Sequence, residues 1–325
     1  MNPKAGTILR LFRTEKGYVS GEHLSRELGV SRTAIWKQIS SLRNAGYCIE
    51  AVPSRGYRLV SSPDVIDPHE VGAQLESSRV GRRLEFLKTT TSTNHDAFQL
   101  AEGGAIEGTV VLADSQTGGK GRRGRVWASP SGVNLYCSVV LRPAIMPYEA
   151  PQLTFLSAVA TARAIEQTTK LKPEIKWPND LLLSGKKVAG LLNEMSAETD
   201  GINFVILGIG VNVNMTLDQF PGYLRYPATS LFLESGILVD RSRFTGIMLN
   251  ELDRLYNDFL TDGFAPVREE WQRRCNANGR QVLVTDSGTE CTRGSFIGID
   301  SDGALLLRSE DEKVHRITCG DVRVI

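Results

Sequence analysis

The 325-residue chain is poor in cysteine, and its five cysteines (Cys48, Cys137, Cys275, Cys291 and Cys319) include no close pair. An odd, scattered set fits neither a disulfide framework nor a zinc site, but it does fit reduced thiols in a cytoplasmic setting. Long apolar runs are missing as well. The longest, residues 205–207 continuing through 208–211, is strand-sized, whereas a membrane-spanning helix needs about 20 apolar residues. Residues 1–10 contain no apolar stretch of the secretory kind, and neither internal repeats nor low-complexity segments occur. Net charge is nearly absent, at +1. With 41% hydrophobic and 23% charged residues, the chain can build ordinary globular cores, which excludes wholesale disorder. Its length allows two to three domains.

The small net charge conceals a division. Residues 1–60 carry ten Lys/Arg against four Glu, a net of +6, which leaves −5 for the remainder. A basic end on an acidic body suggests that one segment meets a polyanion and the other does not. Within the basic end, Ser20 can cap a short helix whose Leu24 and Leu28 share a face and which Gly29 ends. Ser31 then caps a second helix with Ile35, Ile39 and Leu42 at i, i+4, i+7, stopped by Gly46. Two helices joined by so short a turn make a helix-turn-helix. The opposite face of the second helix offers Ser31, Arg32, Thr33, Trp36, Lys37 and Ser40, residue types that reach phosphates and base edges in a major groove. Residues 48–52 and 57–60 read as two strands around a Pro53-Ser54-Arg55-Gly56 turn, a wing carrying Arg55 and Arg58. A solvated basic face or a docking module is the alternative; charge sign, helix spacing and wing together favour DNA. Residues 61–64 read as a linker, and Asp67-Pro68 as the start of the next helix.

In the body, a strand at 110–113 runs into Gln116-Thr117-Gly118-Gly119-Lys120-Gly121-Arg122-Arg123-Gly124-Arg125-Val126-Trp127. Four glycines interleaved with four cations describe a mobile loop that can bring N–H groups and guanidinium forks onto an anion. It is not a P-loop, since no Gly-Lys-Ser/Thr follows, and no helix opens after the glycines as a Rossmann fingerprint requires. Composition alone leaves open a merely disordered basic loop. Its neighbours are Ser92-Thr93-Asn94 upstream, and downstream Lys176-Trp177-Pro178-Asn179-Asp180, Gly185-Lys186-Lys187-Val188-Ala189-Gly190 and Gly208 to Asn214. Each has a plainer reading: a helix cap, a strand end with a packed indole, a polar hairpin turn, and a strand closely approached by another backbone.

Together and in this order, these elements resemble the bacterial biotin protein ligases. With the N-terminal helix-turn-helix, the chain resembles their bifunctional repressor/ligase members over essentially its whole length. The resemblance implies a biotin pocket of Ser92, Thr93, Asn94, Gln116, Lys120, Gly121, Arg122 and Lys187, whose hydroxyl and amide groups suit a ureido ring. It implies an ATP and adenylate side of Arg122, Arg123, Arg125, Trp127, Asn179, Asp180 and Asn212. Lys187 corresponds to the family's catalytic lysine, and Arg122 to the loop that folds over the biotinyl-5′-AMP intermediate. Magnesium arrives with ATP, with Asp180 as the carboxylate placed to touch it, and no separate metal site is implied. Lys120 stands where the family commonly has arginine, and lysine cannot make the bidentate fork. The implied partners are a biotin carboxyl carrier protein, operator DNA and a second copy of the chain in a ligand-promoted homodimer, with no membrane involved. The alternatives are a biotin-sensing regulator with an inactive site, or a lipoate-type ligase on the same fold.

Amphipathic helices are expected at 151–170 and 244–260, and strands at 135–141, 174–176, 181–183, 188–194 and 204–213. Their irregular alternation favours an α+β body over a doubly wound sheet, and the resemblance makes it a class II synthetase-like domain. Residues 215–235 resemble the family's second mobile segment, near the adenine. From Gly279, short strands at 281–285, 294–298, 304–308 and 313–317, punctuated by Asp286-Ser287-Gly288 and Asp300 to Gly303, resemble an SH3-like C-terminal β-barrel. The expected domains are 1–62, 63–274 and 275–325.

Overall fold

The computed structural model describes residues 3–15, 17–44, 46–61, 66–199, 201–224, 226–285 and 291–325. They form two compact units, Met1–Glu76 with Asp240–Gly246, and Ser77–Val239 with Ile247–Ile325.

The first unit contains α1 (Pro3–Thr14), α2 (Gly21–Leu28), α3 (Arg32–Asn44), the hairpin β1 (Cys48–Val52) and β2 (Gly56–Ser61), and α4 (Pro68–Gln74). The caps form as read from the sequence. Ser20 Oγ accepts the His23 N–H at 3.0 Å, and Ser31 Oγ accepts that of Ala34 at 3.3 Å. Helix α1 was not anticipated, although Ala5, Ile8, Leu9 and Phe12 recur at helical spacing. These four side chains close the core around Leu24, Ile35, Ile39, Leu42 and Ile49, so the helix-turn-helix pair completes its core with α1. The linker expected at 61–64 falls largely outside the described residues, with Ser61 ending β2. Helix α4 starts as expected at Pro68, behind an Asp67 carboxylate that accepts the His69 N–H at 2.7 Å.

The second unit is built on a seven-stranded mixed sheet of β3 (Arg83–Leu87), β4 (Thr109–Ala113), β5 (Leu135–Leu141), β6 (Glu174–Lys176), β7 (Asp180–Leu183), β8 (Lys186–Glu198) and β9 (Gly201–Val211). Their order is β3-β4-β5-β9-β8-β7-β6. Only β3 and β4 run parallel; the remaining pairings are antiparallel, as an α+β body requires. Strand β8 is longer at both ends than expected, and β9 stops two residues early, at Val211. Helices α5 (Thr93–Glu102), α6 (Pro151–Thr169), α7 (Leu231–Ser235), α8 (Arg241–Asp262) and α9 (Ala265–Arg274) follow the strands. The apolar face of the helix expected at 244–260 is buried at Phe244, Met248, Leu252, Leu255 and Phe259 and partly buried at Ile247. Helix α6 departs from the amphipathic expectation. Its residues 155–162 are all buried, because small Ala, Ser and Thr positions let it pack against both the sheet and α9. Asp253 of α8 accepts the backbone N–H groups of Ser78, Arg79 and Val80 at 2.8–2.9 Å. Burial opposes its ionisation, but these hydrogen bonds prevail and hold the carboxyl below the usual range.

The C-terminal sheet comprises β10 (Gln281–Thr285), β11 (Cys291–Ile299), β12 (Leu305–Arg308), β13 (Val314–Ile317) and β14 (Asp321–Val324). All pairings are antiparallel, in the order β13-β12-β11-β10-β14. Strand β14 was not anticipated, being four residues long with no turn signal after it. Strands β13 and β14 are the edges, and among the described residues no pairing between them closes the sheet into a barrel. The expected turn at Asp286-Ser287-Gly288 lies outside the described residues. At the other turn, Asp300 Oδ1 accepts the N–H groups of Asp302 and Ala304, each at 2.9 Å.

Candidate active site and candidate nucleic-acid face

The centre of the large sheet is where side chains from distant segments converge. Gly190 of β8 and Gly210 of β9 face each other across the ladder, and the Trp127 indole lies over them. A Cβ on Gly210 would come within 2.8 Å of that ring, and one on Gly190 within 3.1 Å. The glycines therefore make room for side chains, not for another backbone as first read. Gly208 likewise makes room for Asn94, since a Cβ there would lie 2.3 Å from Asn94 Oδ1.

Residues Ser92, Thr93 and Asn94 begin α5, with Ser92 at the N-cap position. The cap reading is right about position and wrong about bonding, because the Ser92 side chain makes no capping hydrogen bond. The Asn94 amide donates to Leu192 O at 3.2 Å and to Glu194 Oε2 at 2.7 Å, and its oxygen accepts from Ser138 Oγ at 2.6 Å. Asn94 thus holds the wall together, tying α5 to β8 and β5. Gln116 Oε1 accepts from the Thr93 N–H and hydroxyl at 2.9 and 3.2 Å, while Gln116 Nε2 donates to Ser129 at 2.9 Å. Gly208→Ala should consequently destabilise the second unit by about 1–3 kcal/mol, as overpacking does. Thermal unfolding of the purified variant measures this, and an unchanged midpoint would refute the wall.

The glycine- and arginine-rich segment is a short hairpin. Trp127 N–H donates to Gly119 O at 2.9 Å and Gly121 N–H to Arg125 O at 2.7 Å, around a 3₁₀ turn at Arg122–Gly124. Arg122 reaches back to Asn179 Oδ1 at 3.4 Å, and Asn179 Nδ2 donates to Leu191 O at 2.6 Å. Burial and the nearby Arg123 guanidinium pull the Arg122 pKa down. Arg125 pairs with Asp321 of β14, whose hydrogen bond raises the Arg125 pKa. Lys187 Nζ lies 2.6 Å from Asp180 Oδ1 and 5.3 Å from the Trp127 ring centroid. The backbone of Lys187 pairs on both sides with the 227–229 segment, through its N–H to Pro227 O and its carbonyl from Thr229 N–H, both at 2.9 Å. Asn212 Nδ2 fastens the same segment through Thr229 O at 3.0 Å.

These groups surround a cavity of about 380 Å³. Ser92, Thr93, Asn94, Gln116, Lys120, Gly121, Arg122, Arg125, Trp127, Asn179, Asp180, Lys187 and Asn212 all line it. Arg123, exposed at the hairpin's turn with left-handed backbone (φ 57°), does not. Polar lining residues that sequence reasoning gave no site role include Lys176, Tyr226 and Asp321. Lys176 opens the Lys-Trp-Pro-Asn-Asp element and Tyr226 lies within 215–235, so both could have been found; Asp321 comes from a stretch without a motif. The lining carboxylates Asp180 and Asp321 each face a cation, and the described residues contain no cluster of three or more His, Cys, Asp or Glu able to hold a metal. A divalent ion fits here with a nucleotide's phosphates as its main ligands and Asp180 beside it.

In the first unit, the cap Ser31 and Arg32, Thr33, Trp36 and Lys37 of α3 are exposed, opposite the buried Ile35, Ile39 and Leu42. Trp36 is 58% exposed, an indole left in water beside cations. Arg32 pairs with Glu22 at 3.0 Å. On the wing, the Arg55 and Arg58 guanidinium groups lie 5.6 and 5.0 Å from the Tyr18 ring centroid, and Arg58 pairs with Glu50 at 2.7 Å. The face is cationic but partly offset by these two glutamates.

Comparison with known proteins agrees with this arrangement. Residues 84–212 match the biotin/lipoate A/B protein ligase family, residues 5–58 an HTH domain, and residues 278–324 the biotin protein ligase C-terminal domain. The bifunctional ligase/repressor BirA of Bacillus spizizenii is 41% identical over 94% of both chains. That of Escherichia coli is 32% identical over 90% of this chain and 88% of its own. The structure of the Aquifex aeolicus biotin protein ligase in complex with biotin and ATP superposes with a TM-score of 0.64 at 29% identity, covering 75% of this chain and 99% of that one. This chain belongs to the biotin protein ligase family, among its members with an N-terminal helix-turn-helix.

Proposed function

We propose that this protein is an ATP-dependent biotin ligase that also represses transcription in response to biotin. Residues 63–274 carry the chemistry with help from 275–325, and residues 1–62 bind DNA. The observation that carries the ligase reading is the single cavity in which the Lys187–Asp180 pair, the Arg122 hairpin and the hydroxyl and amide wall of Ser92, Thr93 and Gln116 meet. The wall suits the ureido ring of biotin. The cationic end suits the meeting of two anions, the biotin carboxylate and the α-phosphate of ATP.

In the first step a carboxylate oxygen bonds to the α-phosphorus as the bond to the β,γ-pyrophosphate breaks, giving biotinyl-5′-AMP. Lys187 stabilises charge on the phosphoryl oxygens, where an ammonium fixed in a partly dry cavity is worth far more than one in water. Magnesium, when bound with ATP, shields the departing pyrophosphate. Arg122 and its hairpin hold the mixed anhydride away from water. In the second step the ε-amine of a carrier-protein lysine attacks the acyl carbon and AMP leaves with the C–O electron pair. Incubating the protein with magnesium, ATP and either biotin or lipoate tests this. Biotinyl-AMP should accumulate and lipoyl-AMP should not; the absence of both would leave only a sensing role, and the reverse would make it a lipoate-type ligase.

Four exposed residues of α3, its cap Ser31 and the two wing arginines support DNA as the partner of the first unit. The account includes a ligand-promoted homodimer gripping a palindromic operator in the cytoplasm. Among the described residues no helix is long and apolar enough to cross a membrane. Arg32 opens α3, and its exposed guanidinium is assigned to the phosphate backbone. Arg32→Ala should weaken binding to operator and random duplexes by the same factor and reduce the salt slope of log K by about one. A loss confined to the operator would make Arg32 a base reader.

A further inference from the structure

The cavity has a cation to which neither the reading of the motifs nor the mechanism above gives a role. Lys176 ends β6, opposite Asp180 in the β6–β7 ladder, and it lines the same cavity. Its ammonium lies 4.5 Å from the centroid of the Tyr226 ring. Two of the other lining cations are paired with carboxylates, Lys187 with Asp180 and Arg125 with Asp321. Among the described residues Lys176 makes no ion pair. A half-buried ammonium held only by an aromatic face is poorly compensated, since a cation–π contact replaces only part of the hydration it displaces. Burial, with Lys187 and Arg125 nearby, lowers its pKa against the opposing pull of Asp180 and Asp321. An anion entering this end of the cavity would supply the missing compensation.

We infer that Lys176 binds the β,γ-phosphates of ATP and the pyrophosphate that leaves, with the Tyr226 ring keeping the ammonium aimed into the cavity. This rests on the ligase reading and assigns its leaving-group end. Lys187 then serves the reacting phosphate and Lys176 the departing one. The Tyr226 contact also means that phosphates at Lys176 bear on the segment whose backbone pairs with Lys187.

The test uses the full-length protein and Lys176→Met, Lys176→Gln and Lys176→Arg. A charge-assisted contact to phosphate is worth about tenfold or more in binding. The Met and Gln variants should therefore raise the KM for ATP at least about tenfold. They should raise equally the pyrophosphate concentration needed to discharge preformed biotinyl-AMP back to biotin and ATP. Binding of biotin alone, and transfer from preformed adenylate to a carrier domain, should stay within about twofold, and Lys176→Arg should recover most of the loss. An unchanged pyrophosphate dependence would overturn the assignment. So would parallel loss of biotin binding in the Met and Gln variants, which would mark Lys176 as merely structural. If the unaltered protein forms no biotinyl-AMP, the ligase reading itself falls. If it does and the variants match it, only Lys176 loses its role.

Discussion

Lys187→Ala should abolish adenylate formation while leaving the cavity standing. The side chain is the part at risk, because the backbone of Lys187 holds the 227–229 segment through bonds to Pro227 and Thr229 that alanine retains. Removal of the ammonium leaves Asp180 facing the nucleotide without its 2.6 Å partner. A like charge then stands where negative charge accumulates in the transition state, so the variant loses stabilisation and gains repulsion. A single preorganised electrostatic group contributes about 10²–10³ in rate, and the exposed carboxylate pushes the loss to the upper end or beyond. Single-turnover release of pyrophosphate at saturating biotin and ATP measures this. A rate within tenfold of the unaltered protein would remove Lys187 from the chemistry.

The second large effect concerns retention of the intermediate. Arg122→Gly should still make biotinyl-AMP, since Lys187 and the Ser92-Thr93-Gln116 wall are untouched, but it should release the product to solution. Arg122 fastens the hairpin across the cavity through Asn179. Glycine deletes that tie and also frees the backbone, disfavouring the ordered turn by a further ~1 kcal/mol. Together these should accelerate escape of the adenylate on the order of a hundredfold. Filtration of a reaction mixture reads it directly, with adenylate in the filtrate for Arg122→Gly and on the protein otherwise. Should Arg122→Gly and Lys187→Ala both simply fail to make adenylate, the division of roles between them is wrong.

What sequence could deliver here followed from how local each signal is. The Ser20 and Ser31 caps and the i, i+4, i+7 spacing of Ile35, Ile39 and Leu42 depend on neighbours a few residues away and formed as read, and the strand through Gly208 and Gly210 formed with its ends shifted by two to three residues. Helix α1 is written in the spacing of Ala5, Ile8, Leu9 and Phe12, although it was not anticipated. Helix α6 is buried at every position from 155 to 162 because two partners cover it, which periodicity in one segment cannot reveal. The site divides the same way. Motif residues could be named, but not what they do to one another. That Asn94 is engaged within the wall, or that Arg123 turns away from the cavity, follows from tertiary hydrogen bonds and one left-handed residue. Asp321 reaches the site from a four-residue strand nearly 200 positions after Arg125, a distance no pattern bridges.

The most direct measurement combines the purified protein, ATP, magnesium, labelled biotin and a biotin carboxyl carrier domain. The account predicts one label per carrier, fixed to a lysine and dependent on both ATP and Lys187. A carrier that stays unlabelled while the protein retains biotin would contradict it.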